Sequence, residues 1–277
     1  MEPKSDEPPP EGPECKIIST QLNQKITGKK LLEIQVVSGR YIRNSIKDML
    51  LFTESIIESV SCHGKFIYMK CGTYHIHNTL GMTGTWTQNT NSIHNRIRFL
   101  FSDGSEIFFN DQRNFGTISI VNPEETNHKI SGMGIDLLAI ENREAAIIFG
   151  TKKLDSIKNK NYNITRVLMD QSILAGVGNY IKCEAMYRSS VNPYRAIGDL
   201  TEKERRTLID HLWTIMHKSY QAGGATIRNY TDTDEKRGLM SFAFKVYGKK
   251  LDPNGNVVLK EETPDGRRTH WCPRVQV

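Results

Sequence analysis

An α+β chain, with a β-sandwich ahead of a helical domain and a β-hairpin at its end, is predicted by three observations. Short β-rich runs separated by turns fill residues 30–121. Helical periodicity takes over between Arg143 and Gln221. Strand-like pieces return after Arg237, around the turns Pro253-Asn254-Gly255 and Pro264-Asp265-Gly266.

The elements follow in chain order. Residues 1–9 combine Glu2, Asp6 and Glu7 with prolines and almost nothing apolar, so a disordered extension is expected. Pro10-Glu11-Gly12-Pro13-Glu14 reads, taken alone, as turn chemistry. From Glu14 to Ile26 the apolar residues Ile17, Ile18, Leu22 and Ile26 recur at helical spacing. Phe66-Ile67-Tyr68-Met69, Ile97 to Phe101 and Ile107-Phe108-Phe109 are strands, the last two joined by a hairpin turn at Asp103-Gly104. Asn122 to Gly134 is polar and contains glycine, which suits a linker. Helices are then predicted over Arg143–Phe149, Thr165–Leu174, Gly178–Ser189 and Thr201–Gln221. The resulting domains are 10–130 (β-sandwich with the first helix), a linker at 131–147, a helical domain at 148–236 and a terminal hairpin at 237–277.

A chain of 277 residues is long enough to bury a core in each of two domains. The formal charge of +6 and the pI near 9.0 suit a polyanionic partner. Cys15, Cys62, Cys71, Cys183 and Cys272 are scattered, with no Cys-x-x-Cys pair, as expected of free thiols in a reducing compartment. No apolar run approaches the ~20 residues that cross a bilayer, so a protein inside the cell, off the membrane, is expected. Nothing signals an oligomer, and a monomer is expected.

Two segments carry chemistry. A terminal proline nitrogen is a secondary amine that can attack an electrophilic carbon and form an iminium. Within a peptide bond that lone pair is delocalised, and Pro10 has nine residues ahead of it. The second segment, Asp170 to Asn179, joins two helices through Gly176-Val177-Gly178 in a helix-turn-helix layout. Asn179 is the expected N-cap. Glycines there let backbone approach a phosphate, and the next helix offers amides and the positive end of its dipole.

Several motifs occur in a fixed order: Pro10 to Glu14, His63-Gly64-Lys65-Phe66, Leu80-Gly81-Met82-Thr83-Gly84, Asp111-Gln112-Arg113-Asn114-Phe115-Gly116, Leu168 to Asn179 continuing through Glu184-Ala185, Asn192-Pro193, and Gly223-Gly224-Ala225-Thr226-Ile227-Arg228. Together they resemble the formamidopyrimidine-DNA glycosylase and endonuclease VIII family, from Pro10 to the C-terminus. The resemblance implies a β-sandwich and a helix-two-turn-helix domain, with double-stranded DNA carrying oxidised or abasic lesions lying between them. It implies base excision followed by strand cleavage through β,δ-elimination. Pro10 would be the nucleophile at the sugar C1′ and Glu11 the proton donor to the ring oxygen, while Lys65 and Arg267 would hold phosphates beside the lesion. Met82, Arg113 and Phe115 would fill the space left by the flipped base. Glu14, Asn179, Thr226 and Arg228 would complete the DNA-binding set. Members of the family often carry two arginines before the phenylalanine, where this chain has Arg113 and then Asn114.

The family usually ends in a four-cysteine zinc finger. Cys272-Pro273-Arg274-Val275 keeps one thiol where two are needed, and Tyr247 to Gly255 has none, so the ending is similar to the zincless finger of some members. That ending and the Pro-Glu-Gly-Pro-Glu start lean toward the endonuclease VIII side. No metal or cofactor is implied. Two further readings stay open at this point: a glycosylase that uses Glu11 and water without lyase activity, and a binder of damaged or abasic DNA that does not cut.

Overall fold

The computed structural model describes residues 8–42, 54–225 and 243–277. Helix α1, Gly12–Ile26, starts two residues earlier than its apolar spacing suggests. Pro13 fits the first turn, where its missing N–H has no partner to lose, and Glu14 Oε2 accepts the Glu11 amide at 2.8 Å. Ile18, Leu22 and Ile26 face the sheet and are buried.

Eight antiparallel strands follow: β1 (Lys30–Val36), β2 (Ser55–His63), β3 (Phe66–Cys71), β4 (Tyr74–Thr79), β5 (Gly84–Thr87), β6 (Asn95–Phe101), β7 (Glu106–Asp111) and β8 (Thr117–Val121). Their order is β5-β7-β6-β1-β2-β3-β4-β8. The pairing between β1 and β2 is limited to Lys30 with Ile56 and Leu31 with Ser55. The sheet therefore divides there into two four-stranded halves, and Phe99, Phe109 and Trp86 of one share a single core with Ile57, Ile67 and Met69 of the other. This is the predicted sandwich. Inside it the Trp86 indole N–H donates to Asn78 Oδ1 at 3.0 Å, so a buried polar group is satisfied.

The predicted linkers are structured. Within 122–134 lies α2, Pro123–Ser131, capped by Asn122, whose side chain accepts from the Glu125 amide. Asn-Pro-x-Glu is a helix start, and polarity masked it because only Thr126 of this surface helix is buried. Within 131–147, β9 (Ile135–Asp136) pairs in parallel with β10 (Leu174–Ala175).

The helical domain contains α3 (Arg143–Asp155), α4 (Ile164–Met169), α5 (Asn179–Arg188) and α6 (Glu202–Gln221). Helix α4 is shorter than predicted, because Asp170 turns the chain by accepting the Ser172 amide at 2.8 Å. Thr201 caps α6. These helices enclose a second core around Tyr180, Ile181, Leu208 and Leu212. The chain closes with the hairpin of β11 (Leu259–Glu262) and β12 (Arg268–Trp271). All five cysteines are free. Among the described residues, no helix is long and apolar enough to cross a membrane.

Candidate active site

The two domains touch through glycines. The Gly12 amide donates to the Gly176 carbonyl at 2.9 Å. The Cα of Gly64 lies so near that a Cβ on Gly176 would sit 3.2 Å from it, and Gly176 has φ of +88°. This close approach brings the start of α1, the β2–β3 turn and the start of α5 to one point.

Pro10 is buried there, with its nitrogen in the peptide bond to Pro9. Glu11 is fully buried. Its Oε1 accepts the Tyr180 amide at 2.9 Å and its Oε2 the Ile181 amide at 3.3 Å. Those two amides belong to the first turn of α5, where N–H groups lack helical partners and the dipole favours a negative group. The helix terminus read as a phosphate cradle therefore holds a carboxyl group of the protein itself. Gly178 makes this possible, because a Cβ at that position would overlap the Glu11 carboxyl carbon. The N-cap is Gly178. Asn179, expected in that role, instead donates its side-chain amide to the Arg268 carbonyl at 2.9 Å.

Burial, reinforced by the neighbouring Glu14, raises the Glu11 carboxyl from 4.5 to about 7, although the Lys65 ammonium and the two amides pull it down. Lys65 stands in the turn between β2 and β3. The Gly64 amide donates to Asp136 Oδ2 at 2.8 Å and fixes that turn. Lys65 keeps part of its surface open to solvent. Its ammonium lies deep enough for burial to lower its pKa, with Glu11 opposing and Arg267 adding to the effect. Lys65 thus lies within reach of the charges of both Glu11 and Arg267. Arg267 is exposed in the β11–β12 turn.

Glu14 is not a surface group. Its carboxylate, fully buried, accepts the Glu11 and Ala225 amides, each at 2.8 Å, and the Tyr180 hydroxyl at 3.2 Å. It anchors the approach to residue 226 from inside the protein and does not face a ligand. Thr226 and Arg228 lie outside the described residues.

Two loops form a rim. Asp111, fully buried, accepts the Thr83 hydroxyl at 2.7 Å, the Gly116 amide at 2.8 Å and the Tyr41 hydroxyl at 3.0 Å. The Arg113 amide donates to Thr83 Oγ1 at 3.0 Å. The loop carrying Met82 is thereby locked to the loop carrying Arg113 and Phe115. Phe115 is 52 % exposed, and the Arg113 guanidinium lies over its ring, 5.0 Å from the centroid. Met82 is half-buried.

Sequence reading missed the residues that hold these parts: Asp111, Asp136, and Gln171, which accepts the Gly176 amide and donates to the Val177 carbonyl, each at 2.9 Å. It also missed Lys182 and Asp265. Asp111 and Gln171 lie inside the quoted motifs but their holding role shows only in the fold, and Asp136, Lys182 and Asp265 act across the fold, where no local pattern marks them.

The family model for the formamidopyrimidine-DNA glycosylase N-terminal domain matches residues 9–118, and that for the formamidopyrimidine-DNA glycosylase H2TH domain matches residues 142–231. The formamidopyrimidine-DNA glycosylase of Wolbachia pipientis wMel is 30% identical over 279 residues, covering 96% of this chain and 99% of that protein. The enzyme of the same name from Bacillus cereus (strain ATCC 10987 / NRS 248) is 30% identical over 277 residues with the same coverage. The crystal structure of the MutM (Fpg) protein from Thermus thermophilus superposes with a TM-score of 0.83 at 27% identity, over 96% of this chain and 98% of that one. A complex of Lactococcus lactis Fpg with DNA containing an abasic site has the same fold, with a TM-score of 0.83 at 23% identity over 96% and 99% of the two chains. The chain belongs to the formamidopyrimidine-DNA glycosylase family of base-excision DNA glycosylases.

Zinc does not fit the terminal hairpin. A tetrahedral site needs about four N or S donors. Cys272 is the one thiol within residues 243–277, and its neighbour Asp252 already accepts the Asn254 and Asn256 amides at 2.9 and 2.8 Å and the Tyr187 hydroxyl at 3.0 Å. Among the described residues no three His, Cys, Asp or Glu side chains gather to hold a metal.

Proposed function

We propose that this protein excises oxidised bases from duplex DNA, and that it also cleaves the strand as an AP lyase in molecules whose chain begins at Pro10. The observation that carries the reading is Glu11, a fully buried carboxyl seated on the Tyr180 and Ile181 amides, whose pKa burial pushes up to about 7. A general acid works best with a pKa near the working pH. Raised in this way, Glu11 can hold a proton near neutral pH and give it to the deoxyribose ring oxygen as the glycosidic bond breaks. Lys65 and Arg267 supply cations for the phosphates flanking an extruded nucleotide.

A free Pro10 nitrogen would form the new bond to C1′ as the base departs with the glycosidic electron pair. Protonation of the ring oxygen then opens the C1′–O4′ bond, and the iminium so formed acidifies C2′ and allows β- and then δ-elimination of the two phosphates. In the chain as it stands, the Pro9–Pro10 peptide bond withholds that lone pair. This favours a second reading for the uncut chain, in which Glu11 and a water molecule release the base and leave the strand intact. The Pro-Glu-Gly-Pro-Glu start and metal-free hairpin support oxidised pyrimidines and ring-opened purines as substrates.

The test is release of a free base, read by mass spectrometry, from duplexes bearing a single formamidopyrimidine or a single oxidised pyrimidine. Release from either is expected. Tight binding of lesion and abasic duplexes without release would overturn the enzyme reading in favour of a binder.

Flipping a base costs a few kcal/mol of stacking, which inserted side chains partly recover. Phe115→Ala is expected to leave the melting temperature unchanged, since the ring is half exposed. It should weaken binding to an abasic duplex about tenfold, in line with the ~1–3 kcal/mol of one base–aromatic stack. Equal affinities in a titration at fixed salt would remove Phe115 from the site.

A further inference from the structure

We propose that the buried ion pair Lys182–Asp265 positions Arg267 relative to Glu11, with helix α5 as their common frame. The proposal rests on the functional reading above for what Arg267 does, and on geometry alone for how it is held. Tyr180 and Ile181 of α5 give their amides to Glu11. The next residue, Lys182, is completely buried and extends away to Asp265 in the β11–β12 turn, Nζ to Oδ2 2.5 Å, where the Asp265 side chain is 2% exposed.

The carboxylate of Asp265 also accepts the Thr263 hydroxyl at 2.5 Å, and Thr263 in turn reaches Arg267. Arg267 is fixed by its carbonyl, which accepts the Thr263 amide at 3.0 Å and the Thr263 hydroxyl at 3.2 Å. Its backbone is thus tied through Thr263 to the carboxylate that Lys182 holds, and its side chain is exposed. Two further bonds tie the turn to the helical domain: Arg166 Nε donates to the Pro264 carbonyl at 2.6 Å, and Asn179 donates to the Arg268 carbonyl.

An ion pair in this setting adds little net stability. Two buried charges lose about as much hydration as their attraction returns, and apolar replacement of both is often neutral or better. What the pair supplies is a fixed distance and direction. The hairpin lacks the donors for zinc, so the turn carrying Arg267 needs another anchor. Lys182 provides it from the same helix turn that seats Glu11.

The double replacement Lys182→Met with Asp265→Leu removes both charges together, which keeps the chain folded where either single change would strand a buried charge. In the full chain it should melt near the wild-type temperature. Amide hydrogen exchange at residues 263–268 should accelerate at least tenfold. Single-turnover excision should fall about tenfold or more, with no further loss when Arg267→Ala is added. Lys182→Arg should retain most of the wild-type rate. Unchanged exchange at 263–268, or a full additional loss from Arg267→Ala, would overturn the proposal. A wild-type chain that releases no base would instead sink the functional reading, and the exchange experiment would still decide whether the pair fixes the turn.

Discussion

Glu11→Gln is expected to lower base excision by roughly two to four orders of magnitude, the usual contribution of a positioned proton donor, while making the folded chain more resistant to alkaline pH. The substitution keeps the shape and one acceptor for the α5 amides. Under the proposed function it removes the proton that the ring oxygen receives. The stability effect follows from linkage. The folded carboxyl titrates at about 7 against 4.5 for the ordinary group, so the fold favours its protonated form. The stability it contributes is complete below pH 4.5, where folded and unfolded chains are both protonated. It is lost as pH rises through 7, because the unfolded chain ionises freely while the folded one resists. The loss amounts to about 3 kcal/mol, and glutamine does not suffer it. Melting curves of the two proteins should therefore diverge in favour of Glu11→Gln between pH 5 and pH 8. A constant difference across that range would mean that Glu11 does not titrate near neutrality.

Gly178→Ala is the second change with a large expected effect. Gly178 has φ of −132° and ψ of −164°, extended geometry open to any residue, so the backbone itself tolerates alanine. The added methyl meets the Glu11 carboxyl carbon. Overpacking of this kind costs about 1–3 kcal/mol, and relief by moving Glu11 breaks its bonds to Tyr180 and Ile181. Excision should fall nearly as far as in Glu11→Gln, with a lowered melting temperature. Combining Gly178→Ala with Glu11→Ala removes the obstacle and should restore most of the melting temperature without restoring activity. If the double variant melts no higher than Gly178→Ala alone, the clash is not the cause.

The fold was legible where periodicity was strong. The β-rich runs, the amphipathic α1 and the long α6 with its Thr201 cap all follow from local pattern. The Asn122-Pro123 helix start was hidden by polarity, since a short surface helix has almost no apolar face to display. At the site, Pro10, Glu11 and Lys65 stood out through ordered motifs and Arg267 through the likeness of the ending to a zincless finger, and the structure puts Lys65 within electrostatic reach of both Glu11 and Arg267. The use of Gly178 was not legible. A Gly-x-Gly turn before a helix suits a phosphate, and only the folded chain shows that Glu11, far away in sequence, occupies it. Glu14 was misassigned for a related reason, because a carboxylate that accepts backbone amides from distant residues looks the same in sequence as one facing DNA. Lys182 and Asp265 escaped notice because charged residues are read as solvated until their partner is seen.

These features separate two chemical roles that the family joins. In the proposed function Glu11 acts in the chain as it stands, whereas Pro10 needs a free nitrogen. Borohydride trapping on duplex DNA containing an abasic site, with intact mass measured on the adduct, tests this directly. The full chain should yield no covalent adduct, and a chain beginning at Pro10 should yield one adduct per molecule, attached through that residue. An adduct between Pro10 of the uncut chain and DNA would contradict the account, and so would a chain beginning at Pro10 that forms none.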